Sequence, residues 1–291
     1  MAAKSPEALL TVACVQMEPE FGATQRNVQT TILLMEQAAA QGATLMVLPE
    51  LCNTGYMFAT RAEAFALAET LPDGPTTRAW IDCARRLGIY IVAGITEREE
   101  ERLYNSAVII GPEGFIGRYR KVHLWSDEAL FFEPGNLGFP VFKTRIGTLG
   151  CHICYDCWFP ESFRLAALQG AEIVCVPTNW VPIPGQDPQR EAMANIIVMA
   201  AAHTNSIFVA AADRVGTERG QPFIGQSLIA GYTGWPVAGP AGATDTQTLL
   251  ATINLADAKR HRNWNAFNQV LRDRRTDVYD RMLGADAPPG Q

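Results

Sequence analysis

Residues 148–161 read TLGCHICYDCWFPE. Cys151, Cys154 and Cys157 recur at a spacing of three, with His152 after the first. Two chemistries use such residues: ligation of a metal ion or iron–sulfur cluster by several soft ligands, or covalent catalysis by one thiolate. Strand geometry weighs against ligation. Residues three apart in a strand point to opposite faces, so Cys151 and Cys154 cannot share an ion if TLGCHIC is a strand. A tetrahedral or cluster site also needs a fourth soft ligand, and the remaining cysteines stand singly in apolar runs. A metal or redox module on Cys151, Cys154 and Cys157 is therefore the alternative of a different class, and no metal or cofactor is expected. His152 reads as a packed or exposed imidazole.

Covalent catalysis fits Cys154 better. The pattern around it is strand, turn, helix, with Cys154 at the strand's C-terminal end and a helix starting at Pro160. Strand C-terminal ends are where open α/β folds place ligands. A helix N-terminus favours a thiolate and a developing oxyanion. Cys14, Cys83, Cys151 and Cys175 read as core. Two other segments offer partners: LMVLPELCNTGY puts Glu50 at a strand end, and GRYRKVHLW puts Lys121 after an alternating strand. Each charge alone would read as a solvated edge.

The elements that must position these groups alternate strand and helix. Apolar periodicity predicts strands over 9–17, 43–50, 89–97 and 171–180. It predicts helices over 24–42, 76–88 and 188–205. Residues 102–123 read as a hairpin about GPEG, and FPVFKTRIGTLGCHICYD as a strand pair. ESFRLAALQG is a helix closed by Gly170. Two further strand stretches, QSLIAGYTGWPVAGP and TLLATINL, complete the set. Helix-helix-strand-strand stretches in both halves allow a pseudo-symmetric α/β sandwich of two covered sheets.

The 291 residues are 48% hydrophobic with a net charge of −6 and no long charge runs. This suggests neither a nucleic-acid nor a membrane partner. MAAKSPEALLTVACVQM reads as a first strand rather than a signal peptide. Seven scattered cysteines suit a reducing, cytoplasmic setting.

Taken in order, VLPELCNTGY, YRKVHLW and GCHICYDCWFPE resemble the three catalytic motifs of the nitrilase, or carbon–nitrogen hydrolase, superfamily. The resemblance extends from VACVQMEPEFGATQRNV to VYDRML. It implies a four-layer αββα sandwich and dimers or larger homo-oligomers; a single domain over 1–284 is expected, and the Pro/Gly-rich GADAPPGQ reads as an unstructured tail at 285–291. It also implies a triad of Glu50, Lys121 and Cys154. Glu50 would take the thiol proton and later activate water, while Lys121 and the Tyr155 N–H hold the oxyanion. Amide attack would release ammonia and leave a thioester.

CYDCWFPE is similar to the amidase side of the superfamily, which carries a second glutamate after the lysine. Glu128 takes that place, with Glu133 as its rival. Tyr56, Trp125, Phe131, Trp158, Asn179 and Trp180 are expected near the substrate, about half of the aromatics lining a pocket. The segments after Cys154 and Asn179 lack arginine until Arg190. That favours a small neutral aliphatic or aromatic amide over a carbamoyl amino acid, with a nitrile as the other alternative. Asp213 and GYTGW depart from the usual family pattern.

Overall fold

The computed structural model describes residues 9–185, 187 and 190–283. In chain order its strands and helices are β1 Leu10–Gln16, α1 Thr24–Ala40, β2 Leu45–Val47, α2 Arg61–Leu67, α3 Pro75–Leu87, β3 Tyr90–Glu99, β4 Arg102–Gly111 and β5 Gly114–Arg120. There follow β6 Val141–Thr144, β7 Gly147–Cys151, α4 Pro160–Leu168, β8 Ile173–Pro177, α5 Met193–Asn205, β9 Phe208–Ala212, β10 Thr217–Glu218 and β11 Gln221–Pro222. The last are β12 Leu228–Ala230, β13 Pro236–Ala238, β14 Gln247–Ile253, α6 Leu255–Arg260 and α7 Thr276–Leu283.

Two six-stranded sheets result, ordered β14-β1-β2-β3-β4-β5 and β13-β12-β9-β8-β7-β6. Alternation along β1 shows how they stack. Val12 and Cys14 join a core shared with Leu149, Cys175 and Val209 of the second sheet. Ala13 and Val15 turn the other way, to Val28 and Met35 of α1 and Trp80 of α3. Helices α4 and α5 pack on the second sheet through Phe163, Ala166 and Val198. The order is thus α, β, β, α, with period-two strands filling three interfaces.

Three expectations are corrected. The helix expected over 188–205 begins at Met193: Pro188 and Gln189 lie outside the described residues, and Ala192 is extended with no side-chain cap. The strand expected over 43–50 is only Leu45–Val47, because the chain turns at Pro49 and Leu51 has φ 45°. The cysteine strand stops at Cys151, and Cys154 instead opens a 3-10 turn over Cys154–Trp158. Helix α2 was not anticipated, although its start carries a signal. The Thr60 hydroxyl accepts the Glu63 N–H at 3.1 Å and Glu63 reaches back to the Ala59 N–H at 2.7 Å. The expected tail at 285–291 lies outside the described residues. Among those residues no helix is long and apolar enough to cross a membrane.

Candidate active site

Glu50, Lys121 and Cys154 come from three elements. Glu50 follows β2, Lys121 follows β5, and Cys154 follows β7, at one end of the sandwich. All three are buried. Two glycines let the backbones approach there. A Cβ on Gly94 of β3 would overlap the Glu50 and Leu51 backbone, and one on Gly135 would overlap the Arg120 carbonyl. Gly94 donates its N–H to Pro49 at 3.1 Å, and Gly135 to Lys121 at 2.8 Å.

Lys121 Nζ donates to Glu50 Oε1 and to Glu128 Oε1, both at 2.7 Å. Of the two rival glutamates it is therefore Glu128 that meets the lysine. Glu133 is half-exposed and pairs with Arg61 at 3.2 Å. The Tyr56 hydroxyl donates to Glu128 Oε1 at 2.6 Å, and the Trp125 N–H to Glu128 Oε2 at 3.1 Å. Asn105 Nδ2 donates to Glu50 Oε1 at 2.6 Å. Glu50 Oε2 has no hydrogen-bond partner among the described residues.

Two carboxylates thus share one ammonium in a buried site, which decides the protonation. Burial pushes the Glu50 carboxyl up to about 7; Lys121 works against the rise and Glu128 adds to it. Lys121 is held well above its ordinary value, because Glu128 and Glu50 outweigh the cost of burial. Burial, then Glu50, raises the Cys154 thiol well above its usual range, and Lys121 opposes this. The thiol is neutral at rest, so attack requires a base. Glu50, whose charge acts on the thiol, carries an unengaged acceptor in Oε2.

A cleft at Cys154 is lined by Trp125, Trp158, Asn179 and Trp180, which were expected near the substrate, and also by Tyr155, Val181 and Ile183. Tyr56 and Phe131 line a neighbouring pocket that shares Trp125 and Val181 with the cleft and includes Glu128. Of the five expected aromatics, Trp125, Trp158 and Trp180 thus line the cleft at Cys154, and Tyr56 and Phe131 line the space beside it. Asn179 donates from Nδ2 to the Glu50 carbonyl at 2.9 Å, bracing the turn that carries the carboxylate. Asp213 is buried and accepts the Trp180 N–H at 2.9 Å.

Asn105 was missed by sequence reasoning. Its signal is a lone amide in the apolar run of β4. His152 is buried among the Tyr119, Phe139 and Phe163 rings, and burial lowers its pKa to about 4. Cys151 and Cys157 are buried free thiols. Among the described residues no group of three or more His, Cys, Asp or Glu is arranged to hold a metal ion.

Comparison with known proteins shows the family. The carbon-nitrogen hydrolase family profile matches residues 11–263. A Pyrococcus abyssi protein named nitrilase is 43% identical over 275 residues, covering 94% of this chain and all of that one. The N-carbamoylputrescine amidase of Solanum lycopersicum is 35% identical, with 96% of each chain covered. A mutant of the amidase from Nesterenkonia sp. AN1, solved in complex with butyramide, superimposes with a TM-score of 0.76. It is 26% identical, and the match covers 94% of this chain and 97% of that one. The family match over most of the chain and the 43% identity establish what the motifs suggested: the chain belongs to the carbon-nitrogen hydrolase family and is a carbon–nitrogen hydrolase.

Proposed function

We propose that the enzyme hydrolyses a small neutral primary amide to the acid and ammonia through a thioester on Cys154. The observation that carries the reading is Lys121 held at 2.7 Å by both Glu50 and Glu128, while Glu50 Oε2 stays unengaged. An ammonium has three N–H donors. Two are taken by the glutamates, and the third serves the substrate oxygen.

The steps follow. Cys154 Sγ bonds to the amide carbon as its proton passes to Glu50 Oε2. The oxyanion is held by Lys121 Nζ and the Tyr155 N–H. Such donors are worth roughly 2.7–4 kcal/mol each. The protonated Glu50 gives its proton to the amide nitrogen, the C–N bond breaks and ammonia leaves. Water then loses a proton to Glu50 and attacks the thioester. The C–S bond breaks, and the sulfur recovers its proton. Glu128 stays on Lys121 and orients it. Glu50 is both base and acid, which suits a carboxyl poised near neutrality.

The substrate class rests on the cleft walls. Four aromatic and two aliphatic side chains surround Cys154, with Asn179 as the polar member and no charged side chain among the lining residues. Such walls suit an uncharged acyl group. They offer no cation for the carboxylate of a carbamoyl amino acid. The butyramide complex of the Nesterenkonia amidase supports the same choice.

The name of the Pyrococcus relative favours a second reading, a nitrile carried to acid and ammonia on the same cysteine. The deciding measurement is kcat/KM for an amide and its matching nitrile. The amide is expected to win. A nitrile preference of tenfold, about 1.4 kcal/mol in the barrier, would overturn the amide assignment and leave the triad standing.

A further inference from the structure

Lys121 leaves the first sheet and Cys154 leaves the second, so their separation depends on how two stacked sheets are held together at one end. Sheet stacking alone is non-directional. Between residues 119–123 and the turn at 151–159, every hydrogen bond ends on one side chain, the buried Asp156. Oδ2 accepts the Tyr119 hydroxyl at 2.6 Å and the Ile153 N–H at 3.0 Å. Oδ1 accepts the His123 N–H at 3.0 Å and meets His123 Nδ1 at 2.8 Å. Tyr119 and His123 lie two residues either side of Lys121. Ile153 and Asp156 bracket Cys154. The His123 ring lies flat on Phe159 at 3.6 Å, so the same contact reaches the first residues of α4.

We infer that Asp156 is a positioning residue for the reaction. Its carboxylate clamps the lysine segment to the cysteine turn and holds Cys154 in the backbone conformation that presents its thiol. Cys154 has φ 47°, in the left-handed region that a residue with a side chain rarely adopts unless its surroundings fix it. The bond to the Ile153 N–H fixes the residue before it. The Asp156 N–H donating to the Ile153 carbonyl at 3.0 Å closes the turn around it. A carboxylate suits the task because it is acceptor-only and three of its neighbours, the Tyr119 hydroxyl and the Ile153 and His123 N–H groups, are donors. It also sets His123 to the tautomer with the proton on Nδ1. An asparagine would keep the shape but aim its NH₂ at two of those donors.

The inference rests on the triad reading, and the test separates the two. Asp156→Asn is expected to lower kcat on the order of 10²-fold, the effect of a small misplacement of reacting groups. KM should stay within twofold, since Asp156 is absent from the cleft wall. Tyr119→Phe alone should lower kcat less. Added to Asp156→Asn it should lower kcat no further, because both act through one clamp. Assays run well below each variant's melting temperature, so a purely structural role would move Tm and leave kcat alone. If Asp156→Asn does not fold, Tyr119→Phe and His123→Ala decide: each should lower kcat at constant KM, and their effects should not multiply. Unchanged kcat, or independent multiplying losses, overturns the clamp. Cys154→Ala is the control. If it stays active, the triad reading fails; if it is inactive while Asp156→Asn keeps full kcat, only the clamp fails.

Discussion

At the residue scale, the chemistry turns on how one lysine is shared by two glutamates. Because burial lifts Glu50 to about 7, the carboxyl is largely protonated below that pH and cannot accept the thiol proton there. The expected kcat/KM profile therefore rises with pH through a midpoint near 7, and Glu50→Gln removes the reaction that produces it. A midpoint at the ordinary glutamate value of 4.5 would mean that Glu50 is not the base. Lys121→Ala removes an oxyanion donor and the partner of both carboxylates. The expected loss in kcat/KM is about 100-fold or more, from at least ~2.7 kcal/mol; a loss under threefold in a folded variant would take the oxyanion role away from Lys121. The motif residues were legible in the sequence because Glu50, Lys121 and Cys154 sit in short, distinctive strings. Asn105, Asp156 and Asp213 were not assigned roles, because what makes them matter is a partner from a distant part of the chain. Asn105 meets Glu50 across 55 positions and Asp156 meets Tyr119 across 37.

At the element scale, periodicity located the long pieces well: α1, α3, the β4–β5 hairpin and the β6–β7 pair. It failed at the short ones. A three-residue strand such as β2 and the 3-10 turns that carry Glu128 and Cys154 hold too few residues to show a period. These are also the segments where the site is built, since the chain must leave a strand abruptly to present a side chain at the sheet end. Close backbone crossing at Gly94 is one result. Gly94→Ala puts a methyl group into the Glu50 turn, and either that turn or β3 must shift. We expect a lower Tm together with a fall in kcat larger than any change in KM. An alanine variant with native kcat would show that the turn yields without moving the carboxylate.

At the scale of the whole molecule, exposed apolar side chains gather around α4, α5 and the segments packed beside them. Leu165 and Leu168 of α4 and Met193 and Ile196 of α5 are exposed, with Trp235, Trp264 and Phe267 alongside. Contacts join these pieces: His203 of α5 stacks on Trp264, Gly234 abuts His203, and Arg164 of α4 bonds the Thr204 carbonyl. Clusters of exposed large apolar side chains mark association sites. We propose that two copies pair through this face about a two-fold axis. Light scattering should give twice the chain mass at micromolar concentration, and Ile196→Glu with Leu165→Glu should shift it toward the single-chain mass. A concentration-independent single-chain mass in the unsubstituted protein would contradict the pairing.

The antiparallel match of β14 with β1 carries a consequence for how the chain is made. Leu10 faces Ile253, and the Thr11 and Thr252 hydroxyls meet at 2.9 Å across 241 positions. During synthesis on the ribosome, β1 gains β2 early on one side, yet its other edge has no partner until residues 247–253 emerge. For most of translation the growing chain exposes an open, apolar strand edge, the kind that neighbouring nascent chains can join. A chain stopped just before Gln247 would keep that edge for good. Its expected fate is aggregation, whereas a chain ending just after α6 should remain in the supernatant. If the shorter chain stays dispersed and monomeric, closure by β14 is not what protects the first sheet.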